Sequence, residues 1–208
     1  MNTSQNIPII LASKSPRRQD LLTRMGVTFT VVPSRYDEQL DERRSPDDVA
    51  MELALGKALD VADTHPEAIV IGSDTVVAVD GRQMEKPRDE DDAREMLTAL
   101  SGRESTVSTG VALVQLANGI QTVRVSTAKV YFKQDSEAVA RLREAYLATG
   151  DWHDKAAGYG IQSGAHTLID RIDGDYTTIV GLPTELLGSM LADIGIDAHP
   201  VHDTPPLA

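Results

Sequence analysis

Residues 68–79 read AIVIGSDTVVAV, two runs rich in β-branched residues on either side of the tetrapeptide GSDT. Runs of this kind are typical of buried strands. Asp74 interrupts the apolar pattern, and Gly72 stands where a strand would normally place a side chain. An aspartate here is either a turn residue between two short strands or a carboxylate at a strand end that faces a cleft. The second placement suits metal binding or general-base catalysis.

Strand-like and helix-like segments alternate outward from this stretch. Ser15-Pro16 and Ser45-Pro46 are helix starts, because serine caps a first turn and proline suits the first helical position. The predicted helices cover residues 15–26, 45–63, 89–100 and 135–148, with one more from about residue 183. The predicted strands cover residues 8–12, 68–71, 76–79, 106–117, 120–132, 166–172 and 176–180. Hairpins at Asn118-Gly119 and Asp173-Gly174 among these helices predict a mixed α/β fold rather than an all-parallel sheet.

The composition limits the classes of partner. The chain has 208 residues, with 20 Lys and Arg against 32 Asp and Glu, which gives a net charge of −12. Proteins that grip a long polyanion normally present a basic face, so this balance argues against stable nucleic-acid binding. A pocket for a small anion needs only a few local cations, and a metal ion can add positive charge.

Several other classes of protein and of catalytic site are excluded or have no supporting motif in the sequence. The chain has no cysteine, so disulfides, thiol nucleophiles and cysteine-ligated zinc are ruled out. There is no P-loop, no nucleophile elbow and no His-Glu-x-x-His pair. No apolar run is long enough to span a membrane and no signal peptide is visible at the N-terminus, so we expect a cytoplasmic protein without a membrane segment.

A candidate anion site lies at residues 13–18, which read SKSPRR. The segment follows a predicted strand and opens a predicted helix, where free backbone N–H groups and the helix dipole attract anions. Arg17 and Arg18 strengthen it, because a guanidinium can donate two parallel bonds to a phosphate. The alternative is a well-capped surface helix with solvated arginines.

Three further charged residues are ambiguous when taken singly. Lys57 shares a helical stripe with Leu53 and Val61, so its ammonium should reach past the edge of the core, although such lysines commonly extend into solvent. Lys86 is held extended by the proline that follows it. Glu38 belongs to an acidic stretch that would ordinarily be a solvated loop.

Taken together, these segments resemble the Maf family, in order and at family-like spacing over about residues 8–197. The segments that carry the resemblance are LASKSPRRQDLL at 11–22, KA at 57–58, IGSDTVV at 71–77, EKP at 85–87, MLTALSG at 96–102, KAAGYGIQ at 155–162, IDGDY at 172–176 and VGLP at 180–183. The resemblance implies an inosine-triphosphatase-like fold, with an elongated mixed sheet flanked by helices and two lobes around a central cleft. It also implies a single domain over residues 1–198 and a homodimer. The tail at residues 199–208 is expected to be flexible, because it is rich in proline and has little apolar pattern.

The resemblance implies a chemistry as well. Maf proteins are nucleoside triphosphate pyrophosphatases, hydrolases of acid anhydrides that release a nucleoside monophosphate and pyrophosphate with the help of Mg²⁺ or Mn²⁺. Asp74 would accept the proton of the attacking water and bind metal, with Glu38 as a second metal carboxylate. The phosphate-binding residues would be Ser13, Ser15, Arg18, Lys57 and Lys86. The residues that select the base would be Arg17, Thr75 and Gln162.

The resemblance further indicates a substrate branch. Maf enzymes with Arg, Thr and Gln at the three selecting positions favour dTTP and UTP, whereas a sister branch that acts on 7-methyl-GTP tends to carry Trp, Gln and Glu. A Gln amide suits a uracil or thymine edge because it offers both a donor and an acceptor. The chain departs from the family at Ser105, where a histidine is usual. A different class of function, a nucleotide-sensing regulator of septum formation without enzymatic activity, stays open.

Overall fold

The structure, a computed structural model, describes residues 7–37, 41 and 43–203. Its centre is a seven-stranded mixed sheet in the order β2-β1-β3-β5-β6-β7, with β4 paired to β3. The strands are β1 (Ile9–Leu11), β2 (Thr30–Val31), β3 (Ile69–Val79), β4 (Arg82–Met84), β5 (Glu104–Gln115), β6 (Ile120–Phe132) and β7 (Ile169–Asp173). β1 is parallel to β2 and β3, and every other pairing is antiparallel. The predicted mixed α/β class is confirmed.

Within the described residues, six α-helices flank the sheet. They are α1 (Pro16–Arg24), α2 (Pro46–Ala62), α3 (Glu90–Leu100), α4 (Glu137–Leu147), α5 (Tyr176–Val180) and α6 (Thr184–Ala192). Ser15 and Ser45 cap α1 and α2 as predicted, and their side chains accept from the backbone N–H groups of Arg18 and Asp48. α2 packs on one face of the sheet, while apolar residues of α1, α3, α4 and α6 form the main core on the opposite face.

Two glycines let α2 lie directly on the sheet. A Cβ atom added at Gly72 of β3 would stand 2.1 Å from the carbonyl oxygen of Ala54 in α2. A Cβ added at Gly110 of β5 would stand 2.2 Å from the carbonyl oxygen of Ala50. Real Cβ atoms do not approach oxygen this closely, so the helix backbone can contact the strands only because both positions lack a side chain.

The stretch around Asp74 is one continuous strand, and the interpretation of Asp74 as a turn residue between two short strands is wrong. β3 pairs with β5 from Val70 to Val79 without interruption. The tetrapeptide at residues 72–75 stays extended because Gly72 accommodates α2 and because the Asp74 side chain has a charged partner on that helix, described below.

The other edge of β3 is open along its middle. β1 pairs with residues 69–71 and β4 pairs with residues 77–79, so in the described part of the chain residues 72–76 have no strand partner on this edge. β1 and β2 lie on one side of the gap and β4 on the other. The gap is the cleft that the family resemblance implies, and it exposes side chains from both faces of β3.

The predicted strand at residues 176–180 and the predicted hairpin at Asp173-Gly174 are both wrong, because residues 176–180 form the short helix α5 and β7 pairs with β6 instead. The run of Thr, Ile and Val is typical of strands. Here the Asp175 carboxylate caps the segment by accepting from the Thr177 backbone N–H at 2.8 Å. Gly181 ends it in the left-handed region at a φ of +111°. Local capping thus outweighs strand propensity.

The C-terminal boundary at residue 198 stays a prediction. The backbone N–H of His199 donates to the Met25 carbonyl at 3.0 Å, and that of Val201 donates to Thr184 Oγ1 at 3.0 Å. Arg24 forms a bidentate ion pair with Asp203 at 2.8 and 2.5 Å. Residues 199–203 therefore contact both α1 and α6. Within the described residues, none of the helices is both long and apolar enough for a membrane crossing.

Candidate active site

A cavity of about 1010 Å³ opens at the unpaired edge of β3. Its walls come from the segments that follow β1 and β4, from α1 and α2, and from residues 151–163. The predicted site residues that line it are Ser13, Ser15, Arg17, Arg18, Lys57, Asp74, Thr75, Lys86 and Gln162. Glu38, the predicted second metal carboxylate, lies outside the described residues. The sheet topology thus brings together side chains that are up to 149 positions apart in the sequence, from Ser13 to Gln162.

Asp74 faces α2 and pairs with Lys57. The two residues are 7% and 8% exposed, and the Lys57 ammonium donates to Asp74 Oδ1. The close approach of α2 at Gly72 brings the lysine to this place, one helical turn beyond Ala54. Lys57 therefore does not extend into solvent; it is a buried cation beside a buried carboxylate at the cavity wall.

Arg18 lies on the face of β3 opposite to Asp74. It bonds to Thr75, the next residue of the strand, and successive side chains of a strand point to opposite sides. Its Nε donates to the Gly181 carbonyl at 2.8 Å, and its NH1 and NH2 groups donate to Ser13 Oγ and Thr75 Oγ1, both at 3.3 Å. These bonds join the start of α1, the middle of β3 and the end of α5. Arg18 is thus fixed at the cavity wall with its guanidinium held in one orientation.

The hydroxyls of Ser13 and Ser15 act as acceptors for protein groups. Ser13 Oγ accepts from the Ser15 backbone N–H at 3.2 Å as well as from Arg18, and Ser15 Oγ accepts from the Arg18 backbone N–H at 3.5 Å. A serine hydroxyl has one proton to donate in addition to its acceptor lone pairs. Both protons can therefore serve a phosphate oxygen in the cavity.

The far wall is the glycine-rich segment that ends at Gln162. Lys155 bonds to Asp154 through its Nζ, and its stem covers Gly160, where an added Cβ would stand 2.7 Å from Lys155 Cε. Partial burial tends to raise the pKa of Asp154, but the hydrogen bond and charge of Lys155, together with the charge of Arg17, outweigh burial and lower it. Lys155 and Asp154 are site residues that the sequence analysis did not predict.

Ser105, which stands where the family usually has a histidine, lies behind this wall of the cavity. Ser105 is completely buried on β5, and its hydroxyl bonds to the Tyr159 hydroxyl at 3.1 Å. Burial raises the pKa of Tyr159, so that side chain stays a neutral phenol. Tyr146 supports the same segment by accepting from the Gly160 backbone N–H at 3.0 Å. Ser105 therefore anchors the wall and does not itself line the cavity.

Among the residues that the structure describes, positive charge outnumbers negative charge in the cavity lining, in contrast to the whole chain. Six cationic residues line the cavity, Lys14, Arg17, Arg18, Lys57, Lys86 and Lys155. Four acidic residues accompany them, Asp74, Glu85, Asp151 and Asp154. Such a lining favours a small polyanion, and among these four described acids the buried carboxylate of Asp74 has the position best suited to catalysis.

The donor set is compatible with a metal ion that binds together with a phosphate ligand. In the ranges that the structure describes, no group of three His, Asp or Glu side chains could hold a metal by itself. Mg²⁺ commonly binds through one or two protein carboxylates and completes its coordination with substrate phosphates and water. Asp74, at the cavity wall, can supply one such carboxylate.

The fold and the site define an α/β protein with a small-anion cavity at a strand edge. The sequence model of the family described as "Maf-like protein" matches residues 8–194, and the chain belongs to this family. A "dTTP/UTP pyrophosphatase" of Dictyoglomus thermophilum is 45% identical over 188 residues, which are 90% of this chain and 96% of the relative. One of Clostridioides difficile is 43% identical over 88% of this chain and 93% of the relative. A "Probable bifunctional dTTP/UTP pyrophosphatase/methyltransferase protein" of Homo sapiens is 41% identical over 84% of this chain and 30% of the relative.

Proposed function

We propose that this protein is a nucleoside triphosphate pyrophosphatase that hydrolyses dTTP and UTP to the monophosphate and pyrophosphate. The observation that carries the proposal is the buried Asp74–Lys57 pair at the wall of a cavity with a cationic lining. The names of the relatives support the substrate class. Action in the cytoplasm, a homodimeric assembly and the lack of stable nucleic-acid binding are parts of the same proposal, and the net charge of −12 supports the last.

Asp74 is the general base in this proposal. Its carboxylate accepts a proton from water as the water oxygen forms a bond to the α-phosphorus, and the bond from that phosphorus to the bridging oxygen of the β-phosphate breaks. Lys57 orients the carboxylate by bonding to Oδ1. A base held in one orientation beside the reacting water contributes through both proton transfer and positioning.

The cations of the cavity stabilise the leaving pyrophosphate. Arg18 is held rigidly by its three bonds, so it needs little reorganisation when negative charge develops. Lys86 and the Ser13 and Ser15 hydroxyls bring further donors from the segments that follow β4 and β1. The surplus of lining cations offsets the repulsion that a polyphosphate would meet from an acidic chain.

A divalent metal, Mg²⁺ or Mn²⁺, belongs to the proposal. When bound, such an ion neutralises phosphate charge and polarises the phosphoryl oxygens. Asp74 would hold it, with Glu38 as the predicted second carboxylate. Because Mg²⁺ commonly completes its coordination with substrate phosphates, we expect the ion and the triphosphate to bind together.

Removal of divalent metal should therefore abolish turnover. We expect dialysis against EDTA to lower the rate of pyrophosphate release from dTTP at least about a hundredfold, since metal charge stabilisation supplies several kcal/mol. Added Mg²⁺ or Mn²⁺ should restore it. Unchanged turnover in metal-depleted buffer would contradict the metal part of the proposal and leave the hydrolysis itself standing.

The three predicted selecting residues lie on different walls of the cavity, with Arg17 on α1, Thr75 on β3 and Gln162 on the glycine-rich segment. This arrangement allows contact with one ligand from three directions. Gln162 is exposed to the cavity mouth and can rotate its amide to present a donor and an acceptor to a pyrimidine edge. We propose that these residues select the base.

Exchange of these residues for those of the sister branch should change the substrate ranking. We expect Arg17→Trp, Thr75→Gln and Gln162→Glu together to lower the ratio of kcat/KM for dTTP to that for 7-methyl-GTP at least about tenfold, since one lost polar contact can cost that much. Lys14→Ala, at an exposed lining position, is the control and should keep the ranking. A triple variant that is slower with every substrate but ranks them as before would refute the assignment.

The proposed function is tested by pyrophosphate release from a panel of canonical and modified nucleoside triphosphates, with Mg²⁺ and with Mn²⁺. Turnover that is fastest with dTTP and UTP supports it. A preference for 7-methyl-GTP would place the chain in the sister branch. Tight nucleotide binding without turnover would favour the sensing regulator instead.

A further inference from the structure

Thr75, Thr109 and Thr178 form a chain of hydrogen bonds next to the cavity, and each bond in it has one possible direction. Thr109 Oγ1 lies 2.7 Å from the Thr178 carbonyl oxygen and 2.9 Å from Thr75 Oγ1. Thr109 is completely buried on β5, directly opposite Thr75 in the sheet register. The chain thus runs from the cavity wall through β5 to the backbone of α5.

The direction of each bond follows from the chemistry of its end. A carbonyl oxygen can only accept, so the Thr109 hydroxyl must donate its single proton to Thr178. Thr109 Oγ1 is then an acceptor for Thr75, which must donate its own proton to it. Arg18 NH2 donates to Thr75 at 3.3 Å and occupies one lone pair of the Thr75 oxygen.

One interaction of the Thr75 hydroxyl is left for a ligand. Its proton is committed to Thr109, and a hydroxyl oxygen can accept two hydrogen bonds, one of which Arg18 already donates. In the described part of the chain no other group bonds to it. Thr75 lines the cavity, so its hydroxyl can accept a hydrogen bond from a ligand there but cannot donate one.

We infer that Thr109 is a positioning residue for base selection, because it holds the Thr75 proton and makes Thr75 an acceptor only. The inference rests on the proposed function, in which Thr75 contacts the base. The ring imide of uracil and thymine carries an N–H that such an acceptor can bind. The corresponding ring nitrogen of cytosine carries no hydrogen and presents a lone pair, which repels another lone pair. Thr109 thereby favours uracil and thymine over cytosine without touching the nucleotide.

Gly181 preserves this geometry at the end of α5. Its carbonyl oxygen accepts from Arg18 Nε at 2.8 Å and from Ser73 Oγ at 2.9 Å. An added Cβ at Gly181 would stand 3.2 Å from Thr75 Oγ1 and 3.3 Å from Arg18 Nε. The turn after α5 thus leaves room for both partners of the Thr75 oxygen.

The test compares Thr109→Val with Thr109→Ser. Valine keeps the volume but removes the acceptor, so the Thr75 proton is released and can turn towards a cytosine nitrogen. We expect the UTP-to-CTP ratio of kcat/KM to fall about tenfold in Thr109→Val, as for the loss of one discriminating hydrogen bond. Thr109→Ser keeps the hydroxyl and should keep the ratio near that of the unmodified protein.

Ser126→Ala separates positioning from general support of α5. The Ser126 hydroxyl bonds to Thr178 Oγ1 at 2.7 Å, so the variant weakens contacts of the same helix residue but leaves Thr109 and Thr75 in place. We expect an unchanged UTP-to-CTP ratio. A merely structural role of Thr109 would lower turnover of both substrates equally in Thr109→Val and would overturn the inference.

A second measurement needs no change at Thr109. UTP methylated at the imide nitrogen lacks the N–H, so the unmodified protein should lose at least about tenfold in kcat/KM relative to UTP, and Thr75→Val should show a smaller loss. Equal use of both nucleotides by the unmodified protein, or an equal loss in Thr75→Val, overturns the inference. If the unmodified protein hydrolyses no pyrimidine triphosphate at all, the proposed function itself has failed.

Discussion

The Asp74→Asn protein is expected to fold and to release pyrophosphate from dTTP about 10²–10⁴ times more slowly than the unmodified protein, the usual effect of losing a general base. Asparagine has nearly the same shape and still offers an oxygen to the Lys57 ammonium, but it cannot take a proton from water. We also expect a lower melting temperature, because Lys57 loses its charged partner in a side-chain environment that is only 10% exposed.

Asp80→Asn is the matched control. Asp80 follows β3 directly, and its exposed carboxylate pairs with Arg103 at 2.9 Å at the surface, outside the cavity lining. The same chemical change there should leave turnover within about twofold, because exposed ion pairs contribute little to stability or structure. Circular dichroism and a thermal melt establish that each variant is folded. A folded Asp74→Asn protein with turnover close to that of Asp80→Asn would refute the assignment of Asp74.

Gly72→Ala should cause a large loss of stability. The new Cβ would stand 2.1 Å from the Ala54 carbonyl oxygen and 2.9 Å from the Ala58 nitrogen, so the backbone of α2 has to move away. Overpacking of a core costs about 1–3 kcal/mol and occasionally more, and the rigid backbone neighbours here favour the upper end. Because Lys57 lies on α2, turnover should fall together with the free energy of unfolding.

Gly188→Ala is the control for the chemical change itself. Gly188 lies in the interior of α6, and an added Cβ would meet its nearest neighbour at 3.5 Å, an ordinary contact. Alanine is the better helix former by about 0.5–1 kcal/mol, so this variant should be slightly more stable. Urea unfolding of both proteins measures the difference. Equal free energies of unfolding would show that α2 tolerates the displacement and would weaken our account of how Lys57 reaches Asp74.

The sequence predicts elements whose signals are local. The serine caps of α1 and α2 and the hairpin at Gly119 depend on side-chain chemistry within a few residues, and the structure confirms them. The prediction of a strand at residues 176–180 is wrong because, in the sequence, several β-branched residues favour a strand more strongly than one capping aspartate favours a helix. Packing of this helix against β5 and β6 supports the cap that Asp175 provides.

The site could be predicted where charge breaks an apolar pattern. Asp74 and Lys57 stand out for this reason. Their contact could not be predicted from either segment alone, because it depends on the glycines that let α2 lie against the sheet. Lys155 carries no comparable signal, because a lysine in a glycine-rich segment is ordinarily solvated. Its position becomes apparent only when its stem is seen to cover Gly160. The hydrogen-bond chain through Thr109 was not predicted. Threonine is common in strands, so its presence there does not indicate a function.

The two sides of the cavity differ in how they can lose their structure. Asp74 and Thr75 stand in the middle of a strand that pairs with β5 at ten consecutive positions, so this side of the cavity can unfold only when much of the sheet opens. The facing segment at residues 151–164 is built from turns and one short 3₁₀ helix and holds no strand or α-helix. In the proposed enzyme, local opening on that side would admit or release a ligand while the Asp74 carboxylate stays in place.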